Sequence, residues 1–266
     1  MNQLTIEDVH KVVLDIMKDV DRVCKEHNIQ YVGVGGTTLG AVRHHGYIPW
    51  DDDIDIGILR KDYKKFLDIY RQYGNKRYEV FDYPERDDYY CQFAKISDTK
   101  TRIIDDYGPQ TEGLGVAVDI FPIDCISSKH ARLKNKYILF LIKQLHVSLA
   151  APSKDKTVNV IKKIIRPIFA PRNFKYYLQK IDNFAMREND SPKADLAGIF
   201  STGMGMPVMN DKRIFDETCD LDFEDMKISV VKDYDRFLTV QFGNYMQLPK
   251  EEDRIAHLAT SYWVEE

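Results

Sequence analysis

Two hydrophobic periods organise the first part of the chain. Across residues 5–28, apolar side chains recur at intervals of three and four, which predicts an amphipathic helix. Thr5 and Asp8 have the spacing of a capping box, so the helix is expected to begin at this point. Across residues 53–59, acidic and aliphatic side chains alternate, and this two-residue period predicts a strand with one buried face.

Further short elements are predicted on either side of this strand. A buried strand over residues 29–34 ends at a glycine pair and leads into a brief helix over residues 37–42, and a longer helix covers residues 60–73. More β-like runs follow at residues 78–83, 90–97, 101–104 and 115–121. Beyond residue 127 the pattern is mostly helical. We therefore expect an α+β fold with a mixed sheet in the first half and helices in the second.

The composition favours a soluble globular protein of the cytoplasm. The 266 residues suffice for one large domain or two small ones, and a hydrophobic content of 44% with a net charge of -4 argues against disorder. Nothing approaches the roughly 18 consecutive apolar residues of a membrane span, and the acidic, amphipathic start of the chain is unlike a signal peptide. The four cysteines lie far apart, which fits neither a zinc ribbon nor a disulfide scaffold.

Charge is distributed unevenly along the chain. Residues 131–180 contain twelve Lys and Arg against one acid, a local net charge of +11, so the remainder carries -15. Apolar stretches interrupt these basic residues, which indicates a cationic amphipathic surface that docks on an anionic membrane. The alternative is a pair of helices that pack on the core and leave their lysines in solvent. Nucleic acid is not an expected partner, because no recognised binding module accompanies the basic stretch.

Candidate chemistry lies on the alternating acidic strand. Asp53 and Asp55 are two residues apart, so on a strand both carboxylates project from one face while the neighbouring isoleucines enter the core. Asp119 stands between aliphatic residues in the later motif VDIFPID and offers a third carboxylate. Clustered like charges need a compensating cation, and oxygen ligands favour Mg²⁺ or Mn²⁺. We therefore expect a divalent metal site, with Asp51 as a further candidate ligand.

A glycine turn precedes this strand. Gly35 and Gly36 lie where a predicted strand gives way to a helix, so their backbone N–H groups, together with the hydroxyl of Thr37, are candidate contacts to a phosphate. The acids at residues 51–53 would also fit a solvated acidic turn, and the series Asp51, Asp53 and Asp55 resembles a calcium-binding loop. The calcium loop is excluded, because it requires glycine where Ile56 stands.

Four longer motifs stand out in the chain, namely GGTTLGAVRHHGYIPWDDDIDIGI, FAKISDTKTRII, VDIFPID and FGNYMQLPKEEDRIAHL. Together they resemble the LicD family of bacterial phosphorylcholine and related phosphotransferases, to which the fukutin-type transferases are distantly similar. The resemblance extends over residues 5–258 and is weakest across the basic middle. It departs from the usual pattern at Thr37-Thr38, where a small residue followed by leucine is commoner. It implies a nucleotidyltransferase-like mixed sheet with flanking helices.

The resemblance also implies a reaction. A LicD-type enzyme transfers phosphorylcholine from a CDP-activated donor such as CDP-choline to a hydroxyl of a cell-surface glycan or glycolipid precursor, and CMP is released. Teichoic acid, capsule and lipooligosaccharide precursors are the implied acceptors. A lipid-linked acceptor would suit a cytoplasmic protein whose basic segment touches the inner leaflet of the membrane.

Roles for individual residues follow from the same resemblance. Asp53 and Asp55 would hold one or two metal ions on the donor diphosphate, and Asp119 would complete this site or accept the proton of the acceptor hydroxyl. Gly35, Gly36 and Thr37 would contact the donor phosphates. Three further candidates are Arg43, which would neutralise the diphosphate as CMP departs, and the substrate-binding residues Lys95 and His257.

Other activities remain open on the same acids. The same acids would also serve transfer of glycerol phosphate or ribitol phosphate from the corresponding CDP-alcohol, or nucleotidyl transfer to a small molecule, although the long IPWDDDIDI loop favours the LicD type over nucleotidyl transfer. A catalytically silent binding protein is disfavoured, because all three acids are present. A choline pocket is expected to contain aromatic rings, for which the tyrosine-rich residues 78–90 and 176–177 are candidates. We expect residues 1–127 to form the catalytic core and residues 128–266 a mainly helical part packed on it.

Overall fold

The computed structural model describes residues 2–104, 109–149, 160, 166–167, 170–203, 209–254 and 260–264. The helices are α1 (Ile6–Glu26), α2 (Gly35–His44), α3 (Arg60–Tyr73), α4 (Ala131–Leu149), α5 (Phe174–Ala185) and α6 (Tyr234–Phe242). The strands are β1 (Val32–Gly33), β2 (Asp55–Leu59), β3 (Tyr78–Phe81), β4 (Ala94–Asp98), β5 (Thr101–Ile104), β6 (Ala117–Ile126), β7 (Leu196–Gly198), β8 (Asn210–Asp211), β9 (Thr218–Phe223), β10 (Met226–Val231) and β11 (Thr260–Trp263).

A mixed sheet forms the centre of the fold. Its strands run in the order β1-β2-β6-β4-β3, and β7 and β8 extend it from the far end of β6. The strands β2 and β6 are parallel, and the other neighbours in this sheet pair antiparallel. The strands β9 and β10 form a separate hairpin, and β5 pairs with β11. The predicted α+β class with a mixed sheet is confirmed.

The alternation along β2 separates the two faces of the sheet. Ile54, Ile56 and Ile58 are fully buried and belong to the apolar cluster that α1 contributes to. Burying each of these side chains contributes about 1.5–3 kcal/mol. Asp55 projects from the opposite face, since successive side chains of a strand alternate. A second apolar cluster, which includes side chains of β6 and α6, covers part of that face beside Asp55.

The first helix begins where the sequence predicts. The backbone N–H of Asp8 donates to the hydroxyl of Thr5 at 3.2 Å, and the N–H of Thr5 donates to the carboxylate of Asp8 at 3.1 Å. This capping box satisfies two backbone donors that the first turn of a helix leaves without partners. The apolar stripe of α1 then packs on the sheet, which fixes the inner face of the fold.

Among the described residues, the second half of the chain is not clearly mainly helical, because strands lie beside its helices. Five strands, β7 to β11, lie in the described residues after residue 195, beside the helix α6 and short 3₁₀ turns. The hairpin β9–β10 turns on Glu224 and Asp225, with Glu224 at a positive φ of 52°. Tight hairpin turns usually carry Asn-Gly or Asp-Gly, so this turn gives no clear signal in the sequence. The division at residue 127 stays a prediction, although β7 joins the sheet of the first half.

The basic segment contributes one long described helix. The buried side of α4, which includes Ile138, Leu141 and Leu145, packs with α5 in a third apolar cluster. For α4, therefore, the apolar stripe that the sequence shows does face the core. Residues 150–159 of the same basic segment lie outside the described residues. Among the helices described, none has the length and apolar character needed to span a membrane.

Candidate active site

Three charged side chains form a row across adjacent strands. Asp55 of β2 is directly opposite Asp119 of β6 in the parallel register, and Asp119 is opposite Lys95 of β4 in the antiparallel register. Directly opposite residues project from the same face, and neighbouring strands lie about 4.8 Å apart. The sheet thus brings together two acids and a lysine that are up to 64 residues apart in the chain, on the face turned away from α1.

Lys95 and Asp119 form an ion pair. The ammonium group donates a hydrogen bond to the Asp119 carboxylate and lies 5.2 Å from the centre of the Phe93 ring. Desolvation lowers the pKa of Lys95, but the charge and hydrogen bond of Asp119 outweigh it, so the net pKa is raised. For Asp119, desolvation raises the pKa and Lys95 opposes that shift. Lys95 therefore carries a positive charge beside the two acids, as a residue that contacts a phosphate must.

The acids repel one another. Desolvation, followed by repulsion from Asp51 and Asp119, raises the pKa of Asp53 to about 7. Desolvation and repulsion from Asp53 and Asp119 raise the pKa of Asp55 well above its ordinary value. A bound cation would lower the pKa of both Asp53 and Asp55, because it favours the charged form of each carboxylate. The raised pKa values of Asp53 and Asp55 thus fit a site for an oxygen-ligated divalent ion.

The preceding turn adds a residue that is absent from the predicted ligands. Asp51, Asp52 and Asp53 each place a carboxylate oxygen within 4.8 Å of the others. The sequence pattern indicates Asp52 only as part of an acidic turn, although its position in the run WDDDID was the available signal. Oxygen atoms at this spacing can share one divalent ion, so Asp52 joins the candidate ligands.

The glycine turn holds the acidic strand in place. Gly35 opens α2 with a positive φ of 55°, which glycine adopts without steric cost. A Cβ at Gly36 would clash with the Asp51 carboxylate, so glycine allows that acid to approach. The hydroxyl of Thr37 accepts a hydrogen bond of 2.7 Å from the backbone N–H of Asp55. The side chain of Val34, at the N-cap of α2, accepts no hydrogen bond from the first turn of the helix. This suits a helix N-terminus whose backbone N–H groups bind a phosphate.

Arg43 lies at the other end of α2, in a separate basic cluster. Its guanidinium donates to the carbonyl of Tyr245 at 2.8 Å and to Nε2 of His44 at 2.9 Å. Desolvation and the nearby charge of Arg254 lower the pKa of Arg43. Arg254 itself lies 5.2 Å from the centre of the Trp50 ring, immediately before the acidic turn.

Two outcomes concern the last motif of the chain. Arg254 is not among the candidates predicted from EEDRIAHL, yet its guanidinium lies against the Trp50 ring. His257, which is among them, lies outside the described residues. The predicted contact of Arg43 with a diphosphate stays a prediction.

Comparisons with known proteins point to one family. A family model described as LicD/FKTN/FKRP, nucleotidyltransferase domain, matches residues 28–174, which include the glycine turn, the acids and Lys95. The lipopolysaccharide cholinephosphotransferase LicD of Haemophilus influenzae is 29% identical over an alignment of 281 residues, which covers 97% of this chain and 97% of that protein. Uncharacterised proteins of Rickettsia typhi and Rickettsia prowazekii are each 45% identical over 65 residues, 24% of this chain and 21% and 24% of theirs.

Proposed function

Because the chain belongs to the LicD family and is a transferase of the LicD type, we propose that it moves phosphorylcholine from CDP-choline to a hydroxyl of a cell-surface glycan or glycolipid precursor. The observation that carries this proposal is the row Asp55–Asp119–Lys95 beside the glycine turn. The full-length similarity to a lipopolysaccharide cholinephosphotransferase supports the choline headgroup and the glycan acceptor.

The carboxylates are suited to a divalent cation. The ligands would come from Asp53, Asp55 and Asp119, with Asp51 and Asp52 at the neighbouring turn, and their mutual repulsion supports a cation there. Mg²⁺ or Mn²⁺ bound to these oxygens would neutralise charge on the donor diphosphate.

The chain's own residues account for the remaining steps. Backbone N–H groups of the Gly35-Gly36 turn and the ammonium of Lys95 would hold the phosphate oxygens. The acceptor hydroxyl oxygen forms a bond to the phosphorus that carries choline, while the bond from that phosphorus to the CMP oxygen breaks. The hydroxyl proton passes to a carboxylate, for which Asp119 is the candidate. Positioning and charge neutralisation supply most of the rate enhancement in such transfers.

The outer face of α4 supports a position at an anionic membrane. Leu133, Tyr137 and Phe140 are exposed at helical spacing, and α4 contains no acidic residue. The basic residues Arg132, Lys136 and Lys143 are exposed along the same side. Apolar side chains among lysines on a surface helix favour the boundary of a bilayer that carries negative lipids. We propose that α4 brings the site to a lipid-linked acceptor at the cytoplasmic face.

A product assay tests the proposed reaction. The protein is incubated with Mg²⁺, a glycan acceptor and CDP-choline, CDP-glycerol or CDP-ribitol in separate reactions, and CMP release and acceptor mass are measured. We expect acceptor-dependent CMP release and a phosphorylcholine mass increment with CDP-choline. A preference for CDP-glycerol or CDP-ribitol would overturn the choline assignment, and nucleotide attached to the acceptor would overturn the phosphotransferase assignment.

A further inference from the structure

A pocket of about 200 Å³ opens beside the glycine turn. It lies where the start of α2 meets the end of β7, the 3₁₀ turn Lys212–Phe215 and α6. Its lining residues are Val34, Gly35, Gly36, Asp55, Ile123, Gly198, Ile199, Phe215, Phe237, Gln241 and Phe242. The pocket therefore shares residues with both the proposed phosphate site and the proposed metal site.

Two aromatic rings meet at right angles in the pocket wall. The ring centres of Phe215 and Phe237 are 6.3 Å apart, with an angle of 81° between the ring planes. Both residues are buried, whereas Phe242 on the same wall is 42% exposed. Ring faces attract a cation within about 6 Å of their centres, and a quaternary ammonium group is held in this way because it has no N–H to donate.

The polar groups of the wall point to the same chemistry. Among the lining residues, Asp55 and Gln241 carry the polar side chains, and none carries a positive charge. A cytosine ring would present several hydrogen-bonding atoms to a mostly apolar wall, and leaving such atoms without partners is costly. A trimethylammonium group needs no hydrogen bonds, so a mostly apolar wall leaves none of its atoms without a partner.

The length of the phosphorylcholine group is consistent with a headgroup pocket beside the glycine turn. Four single bonds separate the nitrogen of phosphorylcholine from its phosphorus, so the two atoms lie within about 6 Å of each other. A headgroup pocket must therefore adjoin the phosphate site directly. This pocket does so, since Gly35 and Gly36 line the pocket and also form the proposed phosphate site.

We propose that the pocket walled by Phe215, Phe237 and Phe242 receives the quaternary ammonium headgroup of the donor. The proposal rests on the proposed function, because it takes CDP-choline as the donor. The tyrosine-rich segments considered from the sequence are not part of this wall.

Binding of two ligands to one variant separates headgroup from nucleotide. We would titrate CDP-choline and CMP, with Mg²⁺, into the wild-type protein and into Phe237→Leu, which keeps an apolar side chain but removes the ring. The affinity for CDP-choline is expected to fall about 5- to 30-fold, the range of a desolvated cation–ring contact, while the affinity for CMP stays within about twofold.

Two further variants guard against a purely structural effect. Phe242→Ala removes a ring that is 42% exposed, so it should not disturb the core. It should lower the affinity for CDP-choline and leave the affinity for CMP unchanged. Phe200→Leu removes a buried ring from the cluster of α4 and α5 and should change neither affinity. If Phe237→Leu and Phe242→Ala lowered the affinities for CMP and CDP-choline equally, or changed neither affinity, the pocket assignment would be overturned. Wild-type protein that binds CMP but gains nothing from the choline headgroup would instead count against the proposed function.

Discussion

At the scale of single residues, Asp53 shows that carboxylates placed to bind a cation repel one another when no cation is bound. Desolvation and the charges of Asp51 and Asp119 raise its pKa to about 7, so without a metal this carboxyl group loses its proton less readily than an ordinary aspartate. The alternation of acids and isoleucines was enough to predict that Asp53 and Asp55 face away from the core. The pairing of Asp119 with Lys95 was not predictable, because it depends on the register of two strands.

Asp53→Asn is expected to lower turnover by about 100-fold or more, because a group that stabilises transition-state charge is removed. The same change should leave the metal-free melting temperature unchanged or higher, because one of several repelling charges is lost. Differential scanning calorimetry in EDTA and a CMP-release assay measure the two effects. Asp220→Asn, an exposed acid on β9, is the control for loss of one negative charge. A marked drop in the metal-free melting temperature of Asp53→Asn alone would mean that Asp53 is structural.

At the scale of elements, the parts set by local signals were the predictable ones. The capping box of α1 and the alternating strand around β2 appear in a few consecutive residues, and both occur as expected. The hairpin β9–β10 was missed because its turn at Glu224 and Asp225 lacks glycine and asparagine. The aromatic pocket was missed for another reason, since Phe215 and Phe237 reach the glycine turn only through tertiary packing.

A network of polar contacts around the buried Asp124 joins the two halves of the chain. Arg60 of α3 donates two hydrogen bonds to Asp124 of β6, at 2.8 and 2.7 Å, and also pairs with Asp182 of α5 at 2.7 Å. Asn189 donates a further hydrogen bond of 2.9 Å to the same Asp124 carboxylate. Asp124 is fully buried, so its charge depends on these partners.

Asp124→Asn is expected to lower the free energy of unfolding by about 3–5 kcal/mol, because Arg60 would keep a largely buried charge with one carboxylate fewer. Urea denaturation followed by circular dichroism measures this change. The matched control is Glu217→Gln, which removes one partner of the exposed pair Glu217–Lys232 and should lower the free energy of unfolding far less, because solvent screens that pair. Equal costs for the two variants would show that the network around Asp124 stabilises the protein no more than an exposed ion pair does.

At the scale of the whole molecule, charge is separated between two surfaces. The acidic row lies on the sheet, whereas the exposed side of α4 carries Arg132, Lys136 and Lys143 beside large apolar side chains. The sequence indicated both the core-packed stripe and the cationic surface as alternatives, and α4 has each on a different side. Because one side of α4 packs in the core, its exposed apolar side chains are available for a contact outside the protein. We propose that this contact is with an anionic bilayer.

Replacing Lys136 and Lys143 by Gln together is expected to weaken binding to vesicles of phosphatidylcholine with phosphatidylglycerol by about 30-fold, at ~1 kcal/mol for each lysine near the surface. Vesicle co-sedimentation measures the partition coefficient, and added salt should weaken wild-type binding. The control pair Lys64→Gln and Lys227→Gln removes the same charge from exposed positions elsewhere. Equal losses for both pairs, or binding to pure phosphatidylcholine alone, would contradict docking through α4.

In our proposal, carboxylates on neighbouring strands bind a CDP-activated donor through a divalent ion, and the rest of the mechanism depends on this contact. Isothermal titration of CDP-choline in the presence and absence of Mg²⁺, with wild-type, Asp55→Asn and Asp220→Asn protein, tests it most directly. We expect binding to wild-type and Asp220→Asn protein when Mg²⁺ is present, and loss of that binding both in EDTA and in Asp55→Asn. Binding of equal strength without Mg²⁺, or undiminished binding to Asp55→Asn, would contradict the proposal.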